Sequence, residues 1–364
     1  MKRFPTIWFF AIGLLVALAA IPVSLFFKAQ SVLWEISVAD ESVSSRLFLP
    51  KVDLGTLTPE AVLPENFRED PPPGTKVDEP VVKTPALPSD SYQVPAKEAD
   101  RLDVLLLGIR GVDDPYGGTL TDSIILASYQ RSTGKSGLIS IPRDLYITIP
   151  FQGVRSKINY AYALGRKLGG ERDALELAKH AVQYVTGVQI DYVARADFTA
   201  FEQAVDALGG LEITLDKPFS ETLQWQGEGG FSLPAGRQTI NGQQALYFVR
   251  SRYSTSDFDR ARRQQQVLVA FKDRALGLNI LTNPGRLSEL LTIAGDHVRT
   301  DMDFETMKGL LPIAQNANFN EVKNLVFDNR PGGRLYSTVI NKQYVLLPKS
   351  GTFKEMRTDA QQIF

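Results

Sequence analysis

The chain has 364 residues, a formal net charge of −1, 43% hydrophobic and 22% charged residues, and no cysteine. That balance belongs to a folded protein and not to a disordered one, and near-neutrality excludes the broad basic surface that non-specific nucleic-acid binding requires. The lack of cysteine removes disulfides, thiolate metal sites and cysteine nucleophiles together.

At the N-terminus, Lys2 and Arg3 precede an apolar run from Ile7 to Phe27. About 20 residues at ~1.5 Å each span a ~30 Å hydrocarbon core, so the run reads as one transmembrane helix. Positive charge ahead of it places Met1 in the cytoplasm and everything after Phe27 outside. Ser24-Leu25-Phe26-Phe27-Lys28 offers no small-residue cleavage site, which separates the run from a removable signal peptide. Residues 1–28 are therefore expected to be a cytoplasmic stub and an anchor in the cell membrane. Residues 29–99 are expected to be an extracytoplasmic linker. From Pro50 to Pro95 it is proline-rich, with Pro71-Pro72-Pro73 at its centre and no sustained periodicity. Such composition favours extended, semi-rigid chain and buries too little surface to fold alone. Ser31 to Arg46 either continues the helix or packs on the membrane surface.

Folded structure is expected from about Asp100, with one domain over 100–280 and an extension over 281–364 that completes it or is appended to it. Leu102–Ile109, Asp122–Tyr129 and Gly137–Ile141 are apolar runs of strand length, the pattern of strands buried on both faces. The turn Ser132-Thr133-Gly134 separates the last two. Helical patterns cover Lys157–Leu168, Glu171–Thr186 ending at Gly187, and Phe198–Leu208 ending at Gly209-Gly210. Tyr192–Arg195 and Leu211–Leu215 read as strands, and Asn241–Val249 and Asp259–Leu276 as helices. Beyond them, Arg286–Ala294 and Phe304–Ala314 look helical, and Val322–Phe327 and Tyr344–Leu347 look extended. Strands alternating with helices on this rhythm predict an α/β protein, a three-layer α-β-α sandwich around one mixed sheet.

Two superficial signals carry nothing. Ser132-Thr133-Gly134-Lys135-Ser136 lacks the first glycine of a P-loop, because Tyr129 stands there. His180 and His297 lie far apart in helical surroundings, with no zinc or triad spacing.

Six arginines and no lysine fall between Arg237 and Arg263: Arg237, Arg250, Arg252, Arg260, Arg262 and Arg263. Arg250 and Arg252 share one side if the chain is extended there. Arg260, Arg263 and Gln264 share one face of a helix. Guanidinium forks suit two-pronged recognition of phosphate oxygens. Asp257 and Asp259 sit among them, placed to orient the guanidinium groups or to bind a metal. A second cluster lies upstream: Asp113 and Asp114 in a Gly-rich loop, Asp122 opening a strand, Arg143-Asp144 at a strand end and Lys157 opening a helix. Carboxylates beside arginines and a lysine fit a diphosphate neutralised by Mg²⁺, which takes one or two carboxylates plus phosphate oxygens.

These segments resemble the LytR-CpsA-Psr family from about Asp103 to at least Ala275. The matching stretches are LTDSIILAS (120–128), SIPRDLYITIP (140–150), KINYAYALG (157–165), DYVARADFTAFEQAVDALGGLEITL (191–215), LPAGRQTINGQQALYFVRSR (233–252) and DFDRARRQQQ (257–266). The resemblance implies a phosphotransferase of the outer cell envelope, moving a glycopolymer from a polyprenyl-pyrophosphate carrier to a peptidoglycan hydroxyl. A lipid-pyrophosphate-binding protein or pyrophosphatase is the alternative. It implies Mg²⁺ (or Mn²⁺) on Asp122, with Asp113 or Asp114 helping. It also implies diphosphate contacts from Arg143, Lys157, Arg250, Arg252, Asp257, Arg260, Arg263 and Gln264, and catalytic roles for Asp122, Arg143, Arg250 and Arg252. Helices 198–208 and 259–276 are candidates to enclose the lipid tail. The implied partners are the lipid-linked glycan, peptidoglycan and the cytoplasmic membrane, with no nucleic acid. Two positions depart from the family's pattern: Arg110 stands where an aspartate is usual, and Leu120 where an arginine is common.

Overall fold

The computed structural model of the chain describes residues 23–38, 88, 91–112, 114, 118–225, 229–278, 283–303, 305–307, 309–310 and 322–364. Most of the expected membrane span, Ile7 to Pro22, and most of the expected linker lie outside the described residues. Among the described residues, no helix is long and apolar enough to cross a membrane.

Helix α1 (Val23–Ile36) comes first, followed by strands β1 (Arg101–Ile109), β2 (Thr121–Gln130) and β3 (Ser136–Ser140). Strands β4 (Tyr146–Thr148) and β5 (Arg155–Lys157) precede helices α2 (Tyr160–Gly169) and α3 (Glu171–Thr186). Strand β6 (Tyr192–Asp197), helix α4 (Phe198–Ala207) and strand β7 (Leu211–Leu215) lead to β8 (Phe219–Glu221), β9 (Phe231–Leu233) and β10 (Gly236–Ile240). Helices α5 (Gly242–Arg250), α6 (Asp257–Gly277) and α7 (Pro284–His297) follow. Strands β11 (Val298–Thr300), β12 (Val322–Val326), β13 (Leu335–Ile340) and β14 (Gln343–Pro348) and helix α8 (Lys354–Gln361) close the chain. The expected α/β fold is present. It divides into two compact units, one of Met1–Ala39, Gln130–Ser136 and Ala196–Asn324, the other of Asp40–Tyr129, Gly137–Arg195 and Leu325–Phe364.

The second unit holds most of the central sheet, in which β6, β1, β2, β3 and β12 are neighbours in that order. Strand β1 is buried along nearly its whole length, as a continuous apolar run requires. Strands β2 and β3 form an antiparallel hairpin: Gln130 N–H donates to the Lys135 carbonyl at 2.9 Å, and Ile141 N–H to the Ile124 carbonyl at 3.0 Å. The turn between them places Gly134 at φ 70°, as a tight turn needs. The expected helix from Lys157 starts later. Residues 155–157 instead pair antiparallel with β4, Lys157 opposite Tyr146, and helical structure begins at Tyr160.

Helices α2 and α3 meet where Gly165 lies against α3; a Cβ there would sit 2.3 Å from the Asp173 carbonyl oxygen. Between them Glu171 accepts from the Tyr162 hydroxyl, Arg166 and Arg195. Burial pushes the Tyr162 hydroxyl well above its ordinary pKa, so it donates as a neutral phenol. The C-terminal residues 325–364 complete this unit. Arg101, itself buried, donates to the Ala360 and Gln361 carbonyls at 3.1 and 3.2 Å while pairing with Asp103 at 2.9 Å. Arg357 donates to the Tyr184 carbonyl at 2.9 Å.

In the first unit, α1 packs on α7 through buried Ala29, Val32, Leu33 and Ile36. Lys28 Nζ donates to Ser288 Oγ at 2.6 Å. Residues 29–36, expected to open the linker, are therefore part of the folded unit, because their apolar i, i+3, i+4 stripe has a helix to pack against. Strands β7 and β10 pair antiparallel beneath α6, and α4 packs on α5 and α7. Asp197 caps α4, accepting from Ala200 N–H at 2.9 Å, and a capping box of Asn241 and Gln244 starts α5.

Candidate functional site

Two clusters carry the expected site residues, one in each unit. In the second unit, β1 and β2 run side by side, and Gly108 permits a close approach, since a Cβ there would lie 3.1 Å from Ser123 Cβ. This sets Arg110, just past β1, beside Asp122 at the start of β2. Arg110 Nε lies 3.4 Å from Asp122 Oδ2, and Arg143 Nη1 donates to Asp122 Oδ1. Arg143 follows β3, in a turn where Asn159 N–H donates to its carbonyl at 3.3 Å and Leu145 N–H to the Pro142 carbonyl at 3.1 Å. Asp144 pairs with Lys157 at 2.6 Å and stands 3.8 Å from Arg143 Nε. Lys157 reaches it from the end of β5, which is why the strand pairing with β4 matters. Arg143 is buried, whereas Arg110 keeps 24% of its side chain exposed and Asp122 15%. The cluster is a desolvated guanidinium and carboxylate with a second guanidinium at the solvent boundary. An anion arriving there meets donors already held in place.

The loop after β1 folds back on itself, Gly111 N–H donating to the Gly118 carbonyl at 3.2 Å and Asp114 N–H to Gly111 at 3.1 Å. Asp113 lies outside the described residues. The fit of a divalent cation is poor. Both carboxylate oxygens of Asp122 face guanidinium nitrogens, and a hard cation needs several oxygen ligands instead. Among the described residues, no group of three His, Asp or Glu side chains gathers to hold a metal.

In the first unit the arginines divide by role. Arg250 is the last residue of α5 and not part of an extended segment, so the alternation expected with Arg252 does not arise. Its guanidinium lies 4.5 Å from the Phe198 ring and 5.2 Å from Trp225. Cation–π contact on two rings fixes its plane. Arg252 N–H donates to Gln224 Oε1 at 2.9 Å, and Gln224 Nε2 donates to the Arg250 carbonyl at 3.2 Å. The fully buried Glu221 accepts Leu223, Gln224 and Ser254 N–H groups at 3.2, 3.2 and 2.8 Å. Glu221, Gln224 and Trp225 thus hold the segment carrying both arginines.

The shared face expected for Arg260, Arg263 and Gln264 on α6 is present, and it points inward. Arg263 donates to the Phe248 carbonyl at 2.8 Å, to Thr255 Oγ1 at 3.1 Å and to the Ser251 carbonyl. Gln264 donates to Val249 at 3.3 Å. These carbonyls are the orphan acceptors at the end of α5, so Arg263 and Gln264 cap that helix from its neighbour. Arg260 is equally buried. Asp257 opens α6. Asp259 accepts from Ser256 Oγ at 2.7 Å and pairs with Arg262 at 2.6 Å, closing the helix start. Arg237 pairs with Glu212 on the surface, 73% exposed. Of the two histidines, His297 ends α7 and lies 3.0 Å from Asp197, while His180 is buried against Tyr92.

Sequence reasoning missed Glu221, Gln224 and Trp225, about thirty residues from the arginines they hold, with no spacing to announce them. It met Arg110 as a departure, although its placement opposite the first residues of β2 follows from the β1–β2 pairing.

The chain is similar over 219 residues to the polyisoprenyl-teichoic acid–peptidoglycan teichoic acid transferase TagU of Oceanobacillus iheyensis, at 35% identity over 59% of the chain; the match spans 63% of that relative's length. It is 30% identical to TagU of Enterococcus faecalis over 65% of the chain and 72% of that protein. The structure of TagT bound to LIIa-WTA superposes with a TM-score of 0.57 at 25% identity, covering 76% of this chain and 96% of that one. The LytR_cpsA_psr family matches residues 75–362. That match covers well over half of the chain, and the chain belongs to the LytR_cpsA_psr family.

Proposed function

We propose that the chain is a phosphotransferase that moves a sugar-phosphate glycopolymer from a polyprenyl-pyrophosphate carrier to a hydroxyl of peptidoglycan, outside the cytoplasmic membrane. The observation that carries the reading is the Asp122 cluster: one carboxylate holding Arg110 and Arg143, with Lys157 held by Asp144 beside it. Such a cluster is built for a polyanion. The names of the TagU relatives supply the substrate class.

In the proposed reaction a sugar hydroxyl oxygen bonds to the phosphorus that carries the glycan. The bond from that phosphorus to the bridging oxygen breaks, and polyprenyl monophosphate leaves with the electron pair. The hydroxyl proton passes to solvent. Arg143 and Arg110 neutralise charge growing on the leaving phosphate, and Asp122 fixes their planes before substrate arrives, so little reorganisation is needed. Lys157 adds a point charge. Arg250 and Arg252 are proposed as further phosphate-binding cations, with Arg263 and Gln264 shaping the segment that carries them. The apolar run 7–27 is proposed to tether the chain beside its bilayer-bound substrate, raising effective concentration.

Incubating the purified full-length chain with a polyprenyl-pyrophosphate-linked glycan and peptidoglycan tests this. Glycan phosphate should appear on the peptidoglycan with an equal amount of polyprenyl monophosphate. Release of the glycan phosphate into solution, with none on peptidoglycan, would show a hydrolase instead.

A further inference from the structure

We infer that Arg110 supplies to Asp122, as a fixed guanidinium, the positive charge that a divalent cation would otherwise bring, so that this cluster binds a diphosphate without metal. The inference rests on the reading above that the cluster receives a diphosphate.

The geometry is that of a carboxylate shared by two guanidinium groups, Arg143 on Oδ1 and Arg110 on Oδ2 at 3.4 Å. Guanidinium nitrogens donate hydrogen bonds and cannot ligate a cation, and their positive charge repels one. Charge accounting agrees. Among the described residues paired there, Arg110, Arg143 and Lys157 against Asp122 and Asp144 leave a formal +1. A carboxylate at position 110 would turn that into −1, and a bound divalent ion would then restore +1. Arg110 already provides the same difference of two charges. It also retains the solvent exposure through which a ligand reaches it, 24% against 6% for Arg143.

The test is a Mn²⁺ titration followed by electron paramagnetic resonance on the full-length chain and on Arg110→Asp, with octaprenyl pyrophosphate binding measured in parallel. The unaltered chain should show no saturable Mn²⁺ site in the micromolar range, and a chelator should leave its pyrophosphate affinity unchanged. Arg110→Asp should gain one saturable site, lost again when Asp122→Asn is added. A saturable Mn²⁺ site in the unaltered chain, abolished by Asp122→Asn, would overturn the inference, as would chelator-sensitive pyrophosphate binding. Should Arg110→Asp fail to fold, Arg110→Gln keeps the size without the charge. It should lose about tenfold in pyrophosphate affinity, as expected for one charge-assisted hydrogen bond, and an unchanged affinity would contradict the inference. Absence of pyrophosphate binding by every form would refute the proposed function instead, leaving the Mn²⁺ titrations to decide this inference alone.

Discussion

Replacing Arg263 by alanine should lower stability far more than a phosphate-contacting arginine would. Its guanidinium donates to the Phe248 carbonyl at 2.8 Å, to the Ser251 carbonyl and to Thr255 Oγ1 at 3.1 Å, and lies 4.8 Å from the Phe219 ring. Alanine leaves two carbonyls at the end of a helix without their donor, at ~1–3 kcal/mol each where water cannot reach them. The lost ring contact adds ~0.5–2 kcal/mol. The sum is about 2.5–8 kcal/mol. At about 2–4 °C per kcal/mol for a domain of roughly 150–250 residues, the melting temperature should fall by about 5 °C or more. Thermal unfolding followed by circular dichroism measures this, with Arg263→Lys as the companion variant. Lysine keeps the charge but not the fork, so it should recover only part of the loss. A melting temperature unchanged in Arg263→Ala, together with a large loss of pyrophosphate affinity, would refute the reasoning and return Arg263 to the phosphate.

Asp122→Asn should lower the melting temperature, because the buried Arg143 guanidinium loses its charged partner, while transfer falls roughly 100-fold as Arg110 and Arg143 lose their shared anchor; a stopped assay of polyprenyl monophosphate reads it. Leu33→Ala, at a fully buried position of α1, should cost about 2–5 kcal/mol in urea unfolding. No cost there would mean that α1 is not docked on α7. Burial lowers the pKa of His180 below its ordinary value near 6.5, with Glu176 opposing and Lys179 assisting. A base depressed in the folded state binds fewer protons than it does unfolded, so this contribution is present at neutral pH and is lost as pH falls below about 6.5. The urea midpoint should drop between about pH 7.5 and 5.5, and His180→Gln should flatten that drop. An equal drop in both would assign the dependence to other groups.

How much of this was legible depends on whether local pattern or distant packing decides each feature. Strands β1 to β3 are continuous apolar runs bounded by Gly and turn residues, and their limits in the structure fall within a residue or two of those read from the sequence. The caps of α4 and α5 are local too. The hairpin of β4 and β5 was hidden because three-residue strands have no period to detect, and it displaced the start of the helix expected from Lys157. The docking of α8 was equally invisible: a mostly polar helix is held by Arg101, which pairs with Asp103 nearby and donates to carbonyls about 260 residues away. For the site, residue types were readable but roles were not. Arg263 and Arg252 look alike as letters, and only the position of α6 beside the end of α5 makes one a helix cap. Arg110 shows the converse, since its identity was noted as an anomaly and its geometry supplies the meaning.

Transfer as proposed requires a diphosphate bound at the Asp122 cluster, and isothermal titration with octaprenyl pyrophosphate and octaprenyl monophosphate measures that directly. The pyrophosphate should bind more tightly than the monophosphate, Arg143→Ala should weaken it by tenfold or more, and Arg237→Ala, on an exposed arginine of the 237–263 run, should leave it unchanged. Equal affinity for the two lipids, or an Arg143→Ala chain that binds as the unaltered one does, would contradict it.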